Sequence, residues 1–321
     1  MSEDRITIAE AAELLKCMNR ILILMHRNPD GDTIGSAYGL CEALVSMGKL
    51  VSVGCCDSIP SMYDYLTERY TERVEEFIPN TFISVDAASL SQLGDYTQFC
   101  DSIDLSIDHH GSNTGYAKRN LVEETYASCS EIVYEIVTSM GCTVNEYIGS
   151  AIYTGISTDT GCFRYRNTTA NSHLVTARLI ECGIDLGYLN ALLFESKSKE
   201  FLRLQQSALS SLRFYFEDRI AVTTITREMF DISGASDEDM TNISPIAKAI
   251  SGVDVGLTFR ETIKGTIKCS VRTSPAVDAS ALCRLFGGGG HHGSAAFEVS
   301  GDMTEVQTLT IARIIETLRA Q

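Results

Sequence analysis

Four short stretches concentrate side chains able to bind cations. His26 leads Asp30 and Asp32 in "HRNPDGDTIGS", Asp86 ends the apolar run "ISVD", Asp108, His109 and His110 follow "IDLSI", and Asp159 sits in "TGISTDTGCFRY". Most have a plain local explanation. Asn, Pro, Asp and Gly form turns, which accounts for Pro29, Asp30 and Gly31 but not for His26 or Asp32. Asp86 could cap a following helix, and Asp159 reads as part of a Ser/Thr-rich loop, where it could make a cap or an Asx turn. "DHH" is either a solvated turn or part of a site, because a buried strand end holds three polar groups only if something satisfies them.

Together, two histidines and four acids drawn from these stretches would make a mixed nitrogen and oxygen donor set. It suits Mn²⁺ and, less exclusively, Mg²⁺, Fe²⁺ or Zn²⁺. A pair of divalent ions about 3.5–4 Å apart needs a carboxylate between them and generates hydroxide for in-line attack on phosphorus. With all four clusters in one chain, four independent turns are the poorer account.

The elements that must carry these residues alternate. Thr7 to Glu10 reads as a capping box opening a helix to about Met18, and "RILILMH" reads as a buried strand. A helix is expected from about Thr33 to Met47, ended by Gly48. "LVSVGCC", "FISVD" and "IDLSIDHH" are further strands, and "SEIVYEIVTSMG" is a helix closed by Gly141. This pattern through about residue 185 predicts an α/β fold with a mostly parallel sheet, whose ligands belong outside the carboxyl ends of the strands. The acidic and histidine clusters fall at those ends. Residues 187–204 read as a helical connector. "RIAVTTIT", "DVGLTFRET" and "TIKCSVRTS" then read as antiparallel strands of a second, smaller α+β domain. The expected division is 1–186, a connector at 187–204, and 205–321.

The 321 residues, 44% of them hydrophobic, suffice for two cores. A net charge of −16 disfavours a broad basic surface for long nucleic acid but leaves room for a short anionic substrate at a local site. The 11 cysteines contain no CxxC pair and fit buried thiols in a reducing compartment. The run "ILILM" is far too short for a membrane span, and a cytoplasmic protein is expected.

"HRNPDGDTIGS", "VDAA", "DHHGSN" and "TDTGCFRY", in that order, resemble the four motifs of the DHH phosphoesterase superfamily, and "GGGGHHGSAA" resembles the glycine-rich signature of its associated substrate-binding domain. The resemblance covers nearly the whole chain, and its length is similar to the small bacterial oligoribonuclease and 3′-phosphoadenosine-5′-phosphate phosphatase branch. It implies an active site in the cleft between the domains. It also implies one metal on His26, Asp30 and Asp86 and a second on Asp32, Asp86, His109 and Asp159. His110 would face the scissile phosphate as a charge stabiliser or proton donor, and Asp108 would orient a histidine.

In the second domain, Gly288, Gly289 and Gly290 are candidates to bring backbone amides onto a phosphate, with His291 beside them. A flexible loop is the plainer reading of the same residues. Ser270 and Arg272 share a strand face, and Arg272 is the candidate for a bidentate phosphate contact. Arg260 is a weaker one, since Glu261 could pair with it. His292 and "SAAF" depart from the family's usual signature, which bears on substrate preference.

The expectation is a manganese-dependent phosphohydrolase of short oligonucleotides or phosphorylated adenosine nucleotides, with no long duplex DNA or membrane partner; a homodimer is left open. The rivals are a linear or cyclic diadenylate phosphodiesterase and a regulatory module that binds nucleotide without turnover.

Overall fold

Thr7 begins the first helix by local chemistry alone. Its hydroxyl accepts from the Glu10 amide at 3.3 Å while Glu10 Oε2 accepts from the Thr7 amide at 2.8 Å, a reciprocal cap worth about 1 kcal/mol. The computed structural model describes residues 4–71, 77–236 and 239–319, with the side chains of residues 71, 99–102, 241–242 and 291 outside that description. The chain divides into two units, Met1–Ser196 and Lys197–Gln321, at a point inside the segment expected to connect them.

In the first unit, α1 (Ile8–Cys17), β1 (Ile21–Leu24), α2 (Gly31–Ser46), β2 (Val51–Gly54), α3 (Asp64–Thr71), β3 (Thr81–Val85), β4 (Ile103–Asp108) and β5 (Arg119–Val122) are followed by helices α4 (Cys129–Ser139), α5 (Glu146–Asp159), α6 (Ala170–Glu181) and α7 (Leu186–Asn190). The sheet is parallel throughout, in the order β2-β1-β3-β4-β5. Ile21 and Ile23 pack into one apolar cluster, and Leu22 and Leu24 into another. Both faces are therefore covered, and β1 reads as an unbroken apolar run for that reason. The chain leaves β1 for β2 on one side and returns to β3 on the other, so the order reverses between the carboxyl ends of β1 and β3. Ligand crevices form at such a reversal.

Helices α2 and α5 cross closely over this end. A Cβ at Gly35 would lie 2.3 Å from the Ala151 carbonyl oxygen, and one at Gly155 would lie 1.8 Å from Ser130 Oγ and 2.6 Å from Asp32 Oδ1. Only glycine permits the approach that brings Asp32 on α2 and Asp159 on α5 to one place.

Three details depart from expectation in this unit. Helix α2 begins at Gly31 rather than Thr33, because the Asp30 carboxylate caps it by accepting from the amides of Asp32 and Thr33 at 3.0 and 3.2 Å. The short strand β5, which carries no long apolar run, was not foreseen. Asp159 ends a helix rather than sitting in a loop: the hydroxyls of Thr158 and Thr160 bond back to carbonyls one turn earlier, so the Ser/Thr-rich stretch stays helical.

The second unit holds α8 (Lys199–Ser210), β6 (Arg213–Tyr215), β7 (Ile220–Ile225), α9 (Arg227–Ser233), α10 (Met240–Ile243), β8 (Val255–Glu261), β9 (Ile267–Thr273), α11 (Ala279–Arg284), β10 (Gly289–His291), β11 (Ser294–Val299) and α12 (Met303–Arg319). Its sheet runs β10-β11-β9-β8-β7-β6. The expected antiparallel arrangement holds for β8 and β9, but β7 and β8 are parallel. Residues 226–254 between them contain α9 and α10, a connection long enough for the crossover that parallel strands need.

Candidate metal centre and phosphate pocket

His26 follows β1, Asp86 follows β3, and Asp108, His109 and His110 end or follow β4. Side by side in the sheet, these strands deliver their polar ends to the point where strand order reverses. Helix α2 adds Asp30 from its N-cap and Asp32 from its first turn, and α5 adds Asp159 from its last.

The two histidines are oriented alike. His26 Nδ1 lies 2.9 Å from the Arg27 carbonyl and His109 Nδ1 lies 3.3 Å from the Tyr126 carbonyl. Donation from Nδ1 leaves the lone pair of a neutral imidazole on Nε2. His26 Nε2 faces Asp30 and Asp86 at 3.6 and 3.5 Å. His109 Nε2 faces Asp86, Asp32 and Asp159 at 3.5, 3.8 and 3.8 Å. These distances exceed a hydrogen bond and match the spacing of donors around one cation, since ligands about 2.1 Å from an ion lie ~3–3.5 Å from each other. The donor atoms fall into groups whose members all lie within 4.8 Å of one another, namely His26, Asp30 and Asp86, then Asp32, His109 and Asp159. Asp86 also approaches His109 and so stands between the groups. A further grouping of Asp86 with His109 and His110 is less suited to an ion, because Asp108 already engages His110 Nδ1 at 2.7 Å.

Asp86 is 3% exposed, has a left-handed backbone at φ 55°, and its Oδ1 is a buried oxygen with no hydrogen-bond partner among the described residues. A buried carboxylate oxygen left in this way costs several kcal/mol unless a cation meets it. Burial and then the Asp32 charge push Asp86 well above the usual carboxylate range, and the same two causes raise Asp159 to about 8. Burial opposes the charge on His26, yet the facing Asp30 and Asp86 carboxylates outweigh it and raise the imidazole to about 11. Asp32 is raised chiefly by burial. It sits on the amino end of α4, accepting from the Cys129 and Ser130 amides at 2.7 and 2.9 Å, where the helix dipole favours an anion. The donor set, its mutual repulsion and the orphaned oxygen fit two divalent cations. When bound, such ions supply a hydroxide nucleophile and neutralise charge on a phosphoryl group.

Asp108 is fully buried and its acceptors are all used. Oδ1 takes the amides of His109 and His110 at 2.8 and 3.2 Å and His110 Nδ1 at 2.7 Å, while Oδ2 takes Asn113 Nδ2 at 2.6 Å. Burial would raise its pKa, but the His110 and Asn113 hydrogen bonds outweigh it and hold Asp108 below the usual range. In return the Asp108 hydrogen bond raises His110 to about 9 against burial, leaving its Nε2 able to carry a proton.

Sequence reasoning missed the Cys129 and Ser130 amides, Asn113, and Asn167, which donates to Asp159 Oδ2 at 3.4 Å. Asn113 lies inside "DHHGSN" and was legible there; the others are contacts across the fold.

A second pocket, of about 380 Å³, lies in the other unit. Arg260, Lys268, Ser270, Arg272, Gly289, Gly290 and Ser294 are among its lining residues, and no carboxylate lines it among the described residues. The structure thus brings Ser270, Arg272, Gly289 and Gly290 together, and Arg260 with them. Lys268 was overlooked, although it shares the β9 face of Ser270 and Arg272 by simple alternation. Gly288 is not among the lining residues. His291 contributes backbone to β10, and its side chain lies outside the described residues. The glycine run is not a free loop: Gly289 and Gly290 pair with Ala296 and Ala295. A Cβ at Gly290, whose φ is +147°, would fall 2.6 Å from Ala295 Cα, so the close pairing demands glycine.

The DHH family's N-terminal domain matches residues 20–156. A bifunctional oligoribonuclease and PAP phosphatase NrnA from Thermus thermophilus is 30% identical over 97% of this chain and 93% of its own length. The NrnA protein of Bacillus subtilis is 25% identical over 88% of this chain and 90% of its own. Among solved structures, an exopolyphosphatase-related protein from Bacteroides fragilis superposes with a TM-score of 0.88 at 24% identity, covering 97% of this chain and 95% of that one. Exonuclease RecJ bound to manganese shares the fold at a TM-score of 0.55 and 13% identity, over 96% of this chain and 93% of that one. With the family's N-terminal domain matched over residues 20–156 and a 30% identical relative aligned over 97% of its length, the chain belongs to the DHH family of phosphoesterases.

Proposed function

We propose that this protein is a two-metal phosphohydrolase that cleaves short oligonucleotides to mononucleotides and removes phosphate from 3′-phosphoadenosine 5′-phosphate, with manganese as its working ion. The observation that carries the reading is Asp86, a buried carboxylate with one oxygen that has no hydrogen-bond partner among the described residues, faced by the Nε2 atoms of His26 and His109. A binding module that never turns substrate over has no need of such a shared anion. The relatives' activities point the same way, and the mixed histidine and carboxylate donors suit Mn²⁺.

In this reading His26, Asp30 and Asp86 hold one ion and Asp32, Asp86, His109 and Asp159 the other. His110, held by Asp108, offers the proton on Nε2 to the leaving oxygen. The pocket of the second unit binds a phosphate that is not cut, with Arg272 as its principal cation, Ser270 beside it, and Gly289 and Gly290 forming its glycine-rich edge. The ten free cysteines among the described residues support a reducing, cytoplasmic setting. Among the described residues no helix is long and apolar enough to cross a membrane.

The deciding experiment measures product release in manganese from 3′-phosphoadenosine 5′-phosphate, linear diadenylate, a five-nucleotide RNA and cyclic diadenylate. Turnover of the first three, falling with length, is expected. Strong preference for the cyclic compound would replace this reading with a second-messenger phosphodiesterase, and tight binding without turnover would replace it with a regulatory module.

A further inference from the structure

The loop after Asp159 is built under strain. Gly161, Cys162 and Phe163 follow one another in the left-handed region, at φ 56°, 56° and 62°. Cys and Phe each lose about 1–2 kcal/mol there, and such conformations persist only where the surroundings impose them. Here the amides of Arg164 and Tyr165 both donate to the Thr160 carbonyl at 3.0 Å, and the Phe163 amide donates to Thr160 Oγ1 at 3.1 Å. Arg164 Nε donates to the Gly161 carbonyl at 2.6 Å. Asn167 Nδ2 ties the loop to the Ala127 and Asp159 carbonyls, both at 3.1 Å. The segment is anchored to the same residue that offers a carboxylate to the metal centre.

What this scaffold presents is Arg164, Tyr165 and Arg166, all exposed. The Tyr165 ring lies on Gly161, where a Cβ would meet ring atoms at 2.3–2.6 Å, yet the residue is 59% exposed. A large ring is therefore seated on glycine backbone with most of its surface toward solvent. Gly161 is two residues from Asp159, hence within about 7.6 Å of it between Cα atoms. Arg164 and Arg166 flank Tyr165 in the sequence, in a chain of net charge −16. An exposed aromatic ring seated on Gly161, with an arginine on either side of it in the sequence and its loop tied to Asp159, has the chemistry for stacking a base and drawing in its phosphates.

We propose that Tyr165 is a stacking platform for the nucleobase next to the scissile phosphate, with Arg164 and Arg166 contacting the adjoining phosphate. The inference rests on the nucleotide phosphohydrolase reading and adds to it where the base is held. Because a stacking face accepts any base, it also implies weak base preference.

The test uses a dinucleotide carrying 2-aminopurine and a non-hydrolysable methylene-phosphonate linkage, titrated into the full-length protein with manganese. Binding to wild type should quench the fluorescence. Tyr165→Ala should abolish the quench and weaken binding by about 5- to 150-fold, the value of one stacked base. Tyr165→Phe should retain both, and an abasic analogue should bind wild type and Tyr165→Ala equally. Quenching unchanged in Tyr165→Ala, no binding to wild type, or an equal loss with the abasic analogue would overturn the platform. Hydrolysis of natural dinucleotides by wild type is followed in parallel. Its absence beside a Tyr165-dependent quench would sink the phosphohydrolase reading and leave the platform standing, and the converse result would do the reverse.

Discussion

Asp108 Oδ1 and His110 Nδ1 are joined at 2.7 Å, and the same carboxylate takes the His109 and His110 amides. One buried aspartate thereby sets both the direction and the charge of the histidine two residues on. If His110 is the proton donor, its protonated form is the active one, and activity should fall as pH rises through its pKa. Asp108→Asn removes the interaction that does most to raise that pKa from 6.5 to about 9, so the alkaline limb of the pH–rate profile should move to lower pH. An unmoved limb would take His110 out of this role. His110→Ala should lower kcat by about 10²–10⁴-fold with metal content unchanged.

Removing Asp86 should do more damage than removing any one of the other ligands. Asp86→Ala takes away the carboxylate shared by the two donor groups, so turnover and metal binding should be lost together. Metal analysis beside an activity assay in manganese checks this. Near-wild-type activity would defeat the metal assignment.

Chelation offers a test without mutation. Removing divalent ions should abolish hydrolysis, and adding manganese back should restore it more fully than magnesium, given the imidazole nitrogens in the donor set. Equal recovery with magnesium would leave the two-metal reading intact and remove the preference for manganese.

The crossing of α2 and α5 predicts a stability effect at a residue with no chemistry of its own. Gly155→Ala would push a methyl group into Ser130 Oγ and Asp32 Oδ1. Overpacking of this kind costs about 1–3 kcal/mol. The urea midpoint should drop, and kcat with it because Asp32 is displaced. An unchanged midpoint with normal activity would show that the helices separate without cost.

In the second unit, Arg272→Ala and Lys268→Ala should raise KM for substrates bearing a second phosphate and reduce the salt dependence of KM, while leaving a simple phosphate monoester unaffected. Equal losses on the monoester would mean that these cations do not bind a distal phosphate.

His26, Asp86 and the Asp108–His110 run stood out in the amino-acid sequence because their signal is local: an apolar run that stops on aspartate or histidine announces a strand end that needs a partner. The Thr7 cap, the strands β1, β3 and β4 and the family resemblance were legible for the same reason, since each is written in a few adjacent residues. What only the tertiary structure decided is long-range. Asp86 stands between two donor groups because β3 lies between β1 and β4, and Asp32 rests on the amides of Cys129 and Ser130, 97 and 98 positions away. The parallel pairing of β7 with β8 and the placing of Lys268 beside Arg260 depend likewise on partners remote in the chain. Spacing along a sequence prescribes which face of an element a side chain shares; which elements meet, and so which charges share one cation, is set by packing across the whole fold.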